Sequence, residues 1–314
     1  MMIVNILNTG CLVEKNNKFV VESKVPIKYD VLMSNYTYTL TGGPAQYLAE
    51  PKTFAEISYL VKRSIEFEIP YLILGNASNV IVSDQGLKGL VIITTHFSEI
   101  KNNGLKLIVD AGAKLKDIAD KAAEESLTGF EFACGIPGTL GGAIFMNAGA
   151  YGGEMTDIVK EITALDAKGN IKQYSHDEFS FSYRHSLAQD QNLVILQAVI
   201  SLQVGSRQEI ITKMKELNDR RAARQPLELP SCGSVFRRPP GHFVGPMIQE
   251  AGLQGKQIGG AQVSKKHAGF IVNIDHATAT DYINLIHLIQ ETVFQKFGIH
   301  LKPEVRFLGF DEQS

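Results

Sequence analysis

Residues 135–153 read GIPGTLGGAIFMNAGAYGG, seven glycines in nineteen positions with no charged side chain among them. Glycine gives up more conformational entropy on folding than any other residue, so a run this dense needs a structural use. One use is a main chain that turns tightly and lays bare N–H groups against a ligand. Another is close packing of backbone on backbone, as at sheet bulges. Pro137 and Asn147 within the run favour the first, a loop that cradles a cofactor.

The rest of the chain sets the frame for that loop. With 314 residues there is room for two or three domains, and 44% hydrophobic with 20% charged residues is a soluble globular balance. A net charge of −2 argues against a general nucleic-acid binder. No apolar run approaches membrane-helix length, and the first residues carry no basic signal region, so a cytoplasmic protein with neither membrane nor nucleic-acid partner is expected. Cys11, Cys134 and Cys232 are odd in number and lack CxxC spacing. They read as free thiols in a reducing compartment, and no metal site is expected.

Periodicity places the elements. After an irregular start, Phe54, Ile57, Leu60, Val61 and Ile65 mark one face of a helix over 53–68, with Thr53 and Glu56 as a capping box. Strands are expected at 71–74, 90–94, 105–110 and 193–204, a helix at 113–126, and a hairpin over 162–174 turning at Lys168-Gly169-Asn170. A charged helix over 206–224, with Ile210, Ile211, Met214 and Leu217 on one face, stops at Gln225-Pro226, a natural boundary. A strand at 269–275 precedes the clearest helix, about 280–297. Its stripe is Tyr282, Leu285, Ile286, Ile289, Val293 and Phe297, and Gly298 ends it. A last strand is expected at 304–310. The mixture is α+β, in about three lobes.

Common nucleotide and hydrolase signatures are missing: no GxGxxG after a strand, no GxxxxGK[ST], no HExxH and no GxSxG. Four stretches hold the polar chemistry instead. In LGNASN, a turn directly after a buried strand can aim several amides and the Ser78 hydroxyl at one anion. The glycine segment is the second. FSYRHS presents Tyr183 and Arg184, and an arginine can hold a carboxylate through two parallel bonds. SCGSVFRRP presents Cys232, Ser234, Arg237 and Arg238 in a proline-flanked loop, with Glu304 far downstream. Taken singly, each has a bland alternative: an ordinary turn, a surface ion pair, a loop serine, an edge-strand carboxylate. Cys232 beside arginines has no partnered His and Asp to make it a nucleophile.

LGNASN, GFEFACGIPGTLGGAIFMNAGAYGGE, YRHS, QPLELPSCGSVFRRPPGHFVG, MIQEAGLQG and SKKHAGFIVN, in this order, together resemble the UDP-N-acetylenolpyruvoylglucosamine reductase (MurB) family. The likeness runs from about Asn35 to Gly309. It implies a two-lobed FAD-binding domain of the vanillyl-alcohol-oxidase (PCMH) type and a C-terminal α+β substrate-binding domain. The boundaries that follow are 1–94 for the first lobe, rejoined by 300–314, then 95–205 for the second. Residues 206–299 form the substrate domain, with 206–225 as a linker helix.

The resemblance also implies a flavoprotein of peptidoglycan synthesis that uses NADPH, in which hydride passes from flavin N5 to C3 of UDP-N-acetylglucosamine enolpyruvate. Position by position it assigns Ser234 as the proton donor to C2, and Arg184 with Glu304 as the pair that polarises the substrate carboxylate. Flavin contacts are implied for Leu74, Gly75, Asn76, Ala77, Ser78, Asn79, Val80 and Gly112. They continue through Ala133, Cys134, Gly135, Pro137, Gly138, Thr139, Gly141, Gly142, Asn147, Ala148 and Gly149. Substrate contacts are implied for Tyr183, Arg224, Arg238 and His267, and a monomer is expected. A negative charge building on the carboxylate explains why fixed donors matter most there. Glu304 helps only if protonated or if it holds another donor in place.

Two positions depart from the family. Ala77 stands where relatives usually have glycine, a strain if that position needs positive φ. Leu40 stands where they often carry Lys or Arg. The direct step from the 193–204 strand into the next helix resembles the subtype that lacks an inserted tyrosine-bearing loop. A different oxidoreductase on the same flavin fold would leave Arg184, Ser234 and Glu304 unexplained, and a non-catalytic nucleotide-sugar binding module would be favoured by a colourless protein.

Overall fold

The structure, a computed structural model, describes residues 18–310; Cys11 lies outside them. The first lobe is a four-stranded sheet of β1 (Lys28–Leu32), β2 (Pro44–Ala49), β3 (Tyr71–Leu74) and β5 (Leu87–Ile93), in the order β1-β2-β5-β3. β5 is parallel to both its neighbours, while β1 is antiparallel to β2. The stretch expected to be irregular therefore holds two strands. β1 escapes a pattern reading because its side chains lie almost wholly in solvent, leaving no apolar alternation. Helix α1 (Phe54–Phe67) buries Ile57, Leu60 and Val61 against this sheet. Ser64 takes the centre of the stripe and Ile65 falls at its exposed edge. The Thr53 hydroxyl accepts from the Glu56 amide, but the Glu56 carboxylate reaches back to Lys52 N, one residue beyond the expected capping box.

The middle lobe is an antiparallel sheet of β6 (Ile100–Asn103), β7 (Lys106–Asp110), β8 (Val159–Leu165), β9 (Ile171–Ser175) and β10 (Val194–Ser201), ordered β9-β8-β10-β7-β6. The expected hairpin is there. At its turn Asp166 Oδ1 accepts from the amides of Asn170 and Lys168, and those bonds, Asn170's foremost, hold its carboxyl at about 2. Helix α2 (Leu115–Glu124) covers one face. The glycine segment, expected as loop, contains a six-residue helix, α3 (Leu140–Phe145). Helix α4 (Arg207–Arg224) buries Ile210 and Leu217 and lays Met214 on the middle core, whereas Ile211 is exposed. The apolar face is narrower than expected because charged residues occupy the remaining turns.

The third core gathers around β11 (Ser231–Ser234), β12 (Gln257–Ile258), β13 (Ala261–Val263) and β14 (Phe270–Asn273), ordered β11-β14-β13-β12. Across it lies α5 (Ala279–Phe297), whose Tyr282, Leu285, Ile286, Ile289 and Val293 are buried, as the stripe expects. Thr278 and Asp281 close a capping box at its start, and Gly298 ends it at φ 68. The chain then returns to the first lobe. β15 (Arg306–Leu308), shorter than the strand expected, runs parallel to β4 (Val80–Val82). Asp84 of the first lobe binds the amides of Ala279 and Thr280 at 2.8 and 2.9 Å, so α5 begins on a carboxylate from another domain. Asn273 Nδ2 donates to Thr39 O across the same seam.

Candidate active site

The GNASN turn leaves the C-terminal end of β3, where Leu74 O accepts from Thr94 N. It faces the glycine segment directly. Asn76 Nδ2 donates to Pro137 O at 3.0 Å and to the Tyr38 hydroxyl at 2.8 Å. A Cβ on Gly75 would lie 2.0 Å from Thr139 Oγ1, so only glycine lets the two stretches meet. Among the described residues, the amides of Gly75, Asn76, Ala77 and Ser78 and the Ser78 hydroxyl find no protein acceptor. Such a nest of free donors suits an anion. Ala77 sits at φ 44, the left-handed conformation that its departure from glycine makes costly. Leu40 is also left-handed and leaves its apolar side chain exposed, so no charge comes from that position.

The seven glycines divide by what surrounds them. Added Cβ atoms would clash with Asn218 at Gly135, Ala111 at Gly141, Glu154 and Gly153 at Gly149, and Phe132 at Gly153. These four pack protein on protein. Gly138 and Gly142 have no neighbour nearer than 3.7 Å, and they open to the cleft; Gly152 is an open turn at φ 93.

Several of the implied flavin contacts are packed against protein. Gly112 is packed against Thr94 O of the first lobe. Ala133 is fully buried, and Cys134 turns its thiol to Met214 O and Asn218 of α4. The Asn147 side chain is spent on Glu154, Ser182 O and the Thr156 amide. It fixes the segment to the Tyr183–Arg184 turn. Each sits behind the surface, where packing claims it first.

That turn carries the central pair. Arg184, left-handed at φ 56, donates from Nε to Glu304 Oε1 at 2.8 Å, both side chains being largely buried. Its Nη2 reaches Gly149 O at 3.4 Å, and its guanidinium stands 5.0 Å from the Tyr183 ring centre. Glu304 thereby fixes one edge of the Arg184 guanidinium. Glu304 N donates to Val235 O at 2.7 Å, the residue after Ser234, and Asn79 Nδ2 donates to Glu304 O. Ser234 ends β11 and pairs with Phe270, so it is presented from a strand and not from the expected loop. Cys232, on the same strand, is wholly buried and its thiol is pushed up to about 12, which excludes it as a nucleophile.

The remaining implied contacts scatter. His267 accepts the Gly269 amide at Nδ1, and its imidazole and the Ser234 hydroxyl both lie within 4 Å of where a Gly269 side chain would begin. Burial lowers its pKa. Arg224 is exposed at the end of α4. Arg238 is exposed, donates to His242 O and covers the Phe243 ring at 3.7 Å. Two arginines escaped the sequence reading. Arg221 of α4 crowds Gly135 with its Nε buried and unbonded. Arg306 sits two residues beyond Glu304, its guanidinium 5.0 Å from the Phe145 ring centre. The period-two spacing from Glu304 was the one available signal.

Two lobes that meet through facing turns, with amides among the described residues that find no protein acceptor, suit a protein that holds an anionic cofactor. Residues 45–175 match the family described as FAD binding domain. Residues 225–308 match that described as UDP-N-acetylenolpyruvoylglucosamine reductase, C-terminal domain. The chain is 52% identical over 287 residues to the UDP-N-acetylenolpyruvoylglucosamine reductase of Lactiplantibacillus plantarum, covering 91% of this chain and 95% of that one. It is 56% identical to that of Lactobacillus helveticus, over 91% and 96%. The crystal structure of the Thermus caldophilus MurB superposes with a TM-score of 0.77 at 32% identity, over 91% and 99%. The chain belongs to the UDP-N-acetylenolpyruvoylglucosamine reductase family.

Proposed function

We propose that this protein reduces UDP-N-acetylglucosamine enolpyruvate to UDP-N-acetylmuramate for peptidoglycan synthesis, with bound FAD and with NADPH as electron donor. The observation that carries it is the Arg184–Glu304 ion pair, whose glutamate is also bonded through its main chain to Val235, next to Ser234, and to Asn79 of the GNASN turn. Bound FAD would supply the hydride-transfer chemistry that links NADPH to the enolpyruvyl group. The amides of 75–78 and the open face at Gly138 and Gly142 hold the cofactor. Arg184, fixed by Glu304, meets the substrate carboxylate as charge builds on it, and Ser234 gives the proton. Tyr183, Arg224, Arg238 and His267 line the substrate side.

We assign 18–94 with 301–310 to the first lobe, 95–224 to the second and 225–300 to the substrate domain, because α4 packs on the middle core. Only Gly205 and Ser206 separate the strand at Gln203–Val204 from α4, which supports the loop-lacking subtype. A monomer is the state we propose. Among the described residues no helix is long and apolar enough to cross a membrane, and Cys134 and Cys232 are unpaired, both in keeping with a cytoplasmic enzyme.

Rapid-mixing absorbance tests this. In Ser234→Ala, NADPH bleaches the flavin at the parental rate, and UDP-N-acetylglucosamine enolpyruvate no longer restores it. Survival of both half-reactions removes Ser234 as the acid. A parent protein that is yellow but not bleached by NADPH removes the donor, and a colourless one removes the flavin.

A further inference from the structure

Gly269, at the entry to β14, is not in the left-handed region, so its backbone conformation does not call for glycine. What the position lacks is room. A Cβ there would lie 3.0 Å from His267 Cε1, 3.2 Å from His267 Nδ1 and 3.6 Å from Ser234 Oγ. The imidazole and the hydroxyl therefore border one gap, and the missing side chain keeps it open.

Both sides of the gap are held from behind. His267 N donates to Ser264 Oγ at 3.2 Å, Phe270 N donates to His267 O, and the imidazole stands edge-on to the Phe270 ring with centres 4.9 Å apart. Its Nδ1 accepts the Gly269 amide at 3.2 Å, so the hydrogen of the neutral ring sits on Nε2. Ser234 is fixed by its pairing with Phe270 and by the bond from Val235 N to Gly269 O. Among the described residues, neither His267 Nε2 nor Ser234 Oγ has a hydrogen-bond partner. A ring that only closed this turn would need Nδ1 alone.

The charged groups of the surrounding elements are engaged elsewhere. Lys266 donates to Ala222 O and pairs with Glu228, while Lys265 is exposed and lies along Gly255. Glu250, on the short helix Val244–Glu250 that packs near the ring, pairs with Lys296. Glu304 is held by Arg184, and Cys232 of β11 stays a neutral thiol. Burial is the leading cause that keeps His267 uncharged. A serine is a weak acid, and a fixed donor to its oxygen eases the charge left when its proton goes.

We propose that His267 is a positioning residue for the proton transfer: its Nε2–H donates to Ser234 Oγ, directly or through one water in the gap that Gly269 leaves. The Ser234 O–H is thereby aimed away from His267, toward the substrate. As that bond breaks, the proton passes to C2 of the enolpyruvyl group and the electron pair stays on Oγ. His267 keeps its own hydrogen, and a proton from solvent restores the serine. The inference rests on reading Ser234 as the acid.

His267→Ala and His267→Gln are made in the holoenzyme, and both half-reactions are followed by flavin absorbance at saturating ligand. In His267→Ala, reoxidation by UDP-N-acetylglucosamine enolpyruvate slows by about tenfold or more relative to bleaching by NADPH. His267→Gln, which offers an N–H and does not titrate, recovers part of that loss. In the parent, reoxidation slows as pH falls below about 6.5, because a proton on Nδ1 would confront the Gly269 amide; the glutamine variant lacks this fall. A parental ratio of the two rates in His267→Ala, a loss in substrate affinity alone, or an acid fall that survives in His267→Gln overturns the proposal. Should His267→Ala fail to fold, Gly269→Ala narrows the gap without removing either group. It gives the same selective slowing, and a parental ratio there also overturns the proposal. Ser234→Ala separates the two readings. If it reoxidises at the parental rate, Ser234 is not the acid; if it is blocked while His267→Ala is parental, only the role of His267 fails.

Discussion

The GNASN turn and the glycine segment face one another across the same cleft, yet they spend glycine in opposite ways. The segment has seven glycines and uses four of them to pack protein on protein. The turn has one, uses it to admit Thr139, and then leaves four consecutive amides without partners among the described residues. Its left-handed position is filled by Ala77. Glycine density thus reports how tightly two backbones approach, and free amides report where a ligand can sit. The stretch with fewer glycines offers more donors.

Three substitutions test that contrast, in decreasing order of effect. Gly75→Ala should be the most damaging, since its Cβ would overlap Thr139 Oγ1 at the one point where the two stretches touch. A loss of about 1–3 kcal/mol is expected in urea unfolding, with FAD affinity falling too. Adding Thr139→Ala should recover part of both, and no recovery would mean the contact is not what requires glycine. Adjacent Gly141 and Gly142 should then behave differently. Gly141→Ala meets Ala111 Cβ at 2.9 Å and should lower the melting temperature, whereas Gly142→Ala has room and gains helix propensity. If Gly142 opens to the cofactor, its alanine variant keeps stability but holds FAD less tightly; equal behaviour of the two variants would falsify the division. The smallest effect is expected for Ala77→Gly. It relieves the left-handed strain but frees the unfolded chain, for a net gain of at most about 1 kcal/mol. A clear loss would show that the buried Ala77 methyl matters more than its backbone.

What could be read from sequence follows from where physics leaves a periodic trace. α5 and α1 were legible because a buried stripe and a hydroxyl cap repeat at fixed offsets. β1 was not, since a solvent-exposed strand held by its neighbour's main chain has no apolar signature. α3 was hidden for the opposite reason: Gly141 and Gly142 oppose helix formation locally, and packing against Ala111 outweighs them. Arg184, Ser234 and Glu304 came from the family likeness, and their convergence depends on contacts between distant segments. Arg306 was lost because EVRFL reads as an ordinary edge strand until its partner, Val80–Val82, is known.

The parallel pairing of β15 with β4 has a consequence in time. Asn79 and Glu304 are 225 residues apart, so the bond between them closes one of the longest loops in the molecule. Contacts of such separation form late and slowly, whereas the sheets of the first two lobes can assemble from nearer segments during synthesis. The GNASN turn can therefore take shape well before Glu304 and Arg306 leave the ribosome. Docking of three residues, Arg306–Leu308, against Val80–Val82 then brings in the segment whose Glu304 meets Arg184.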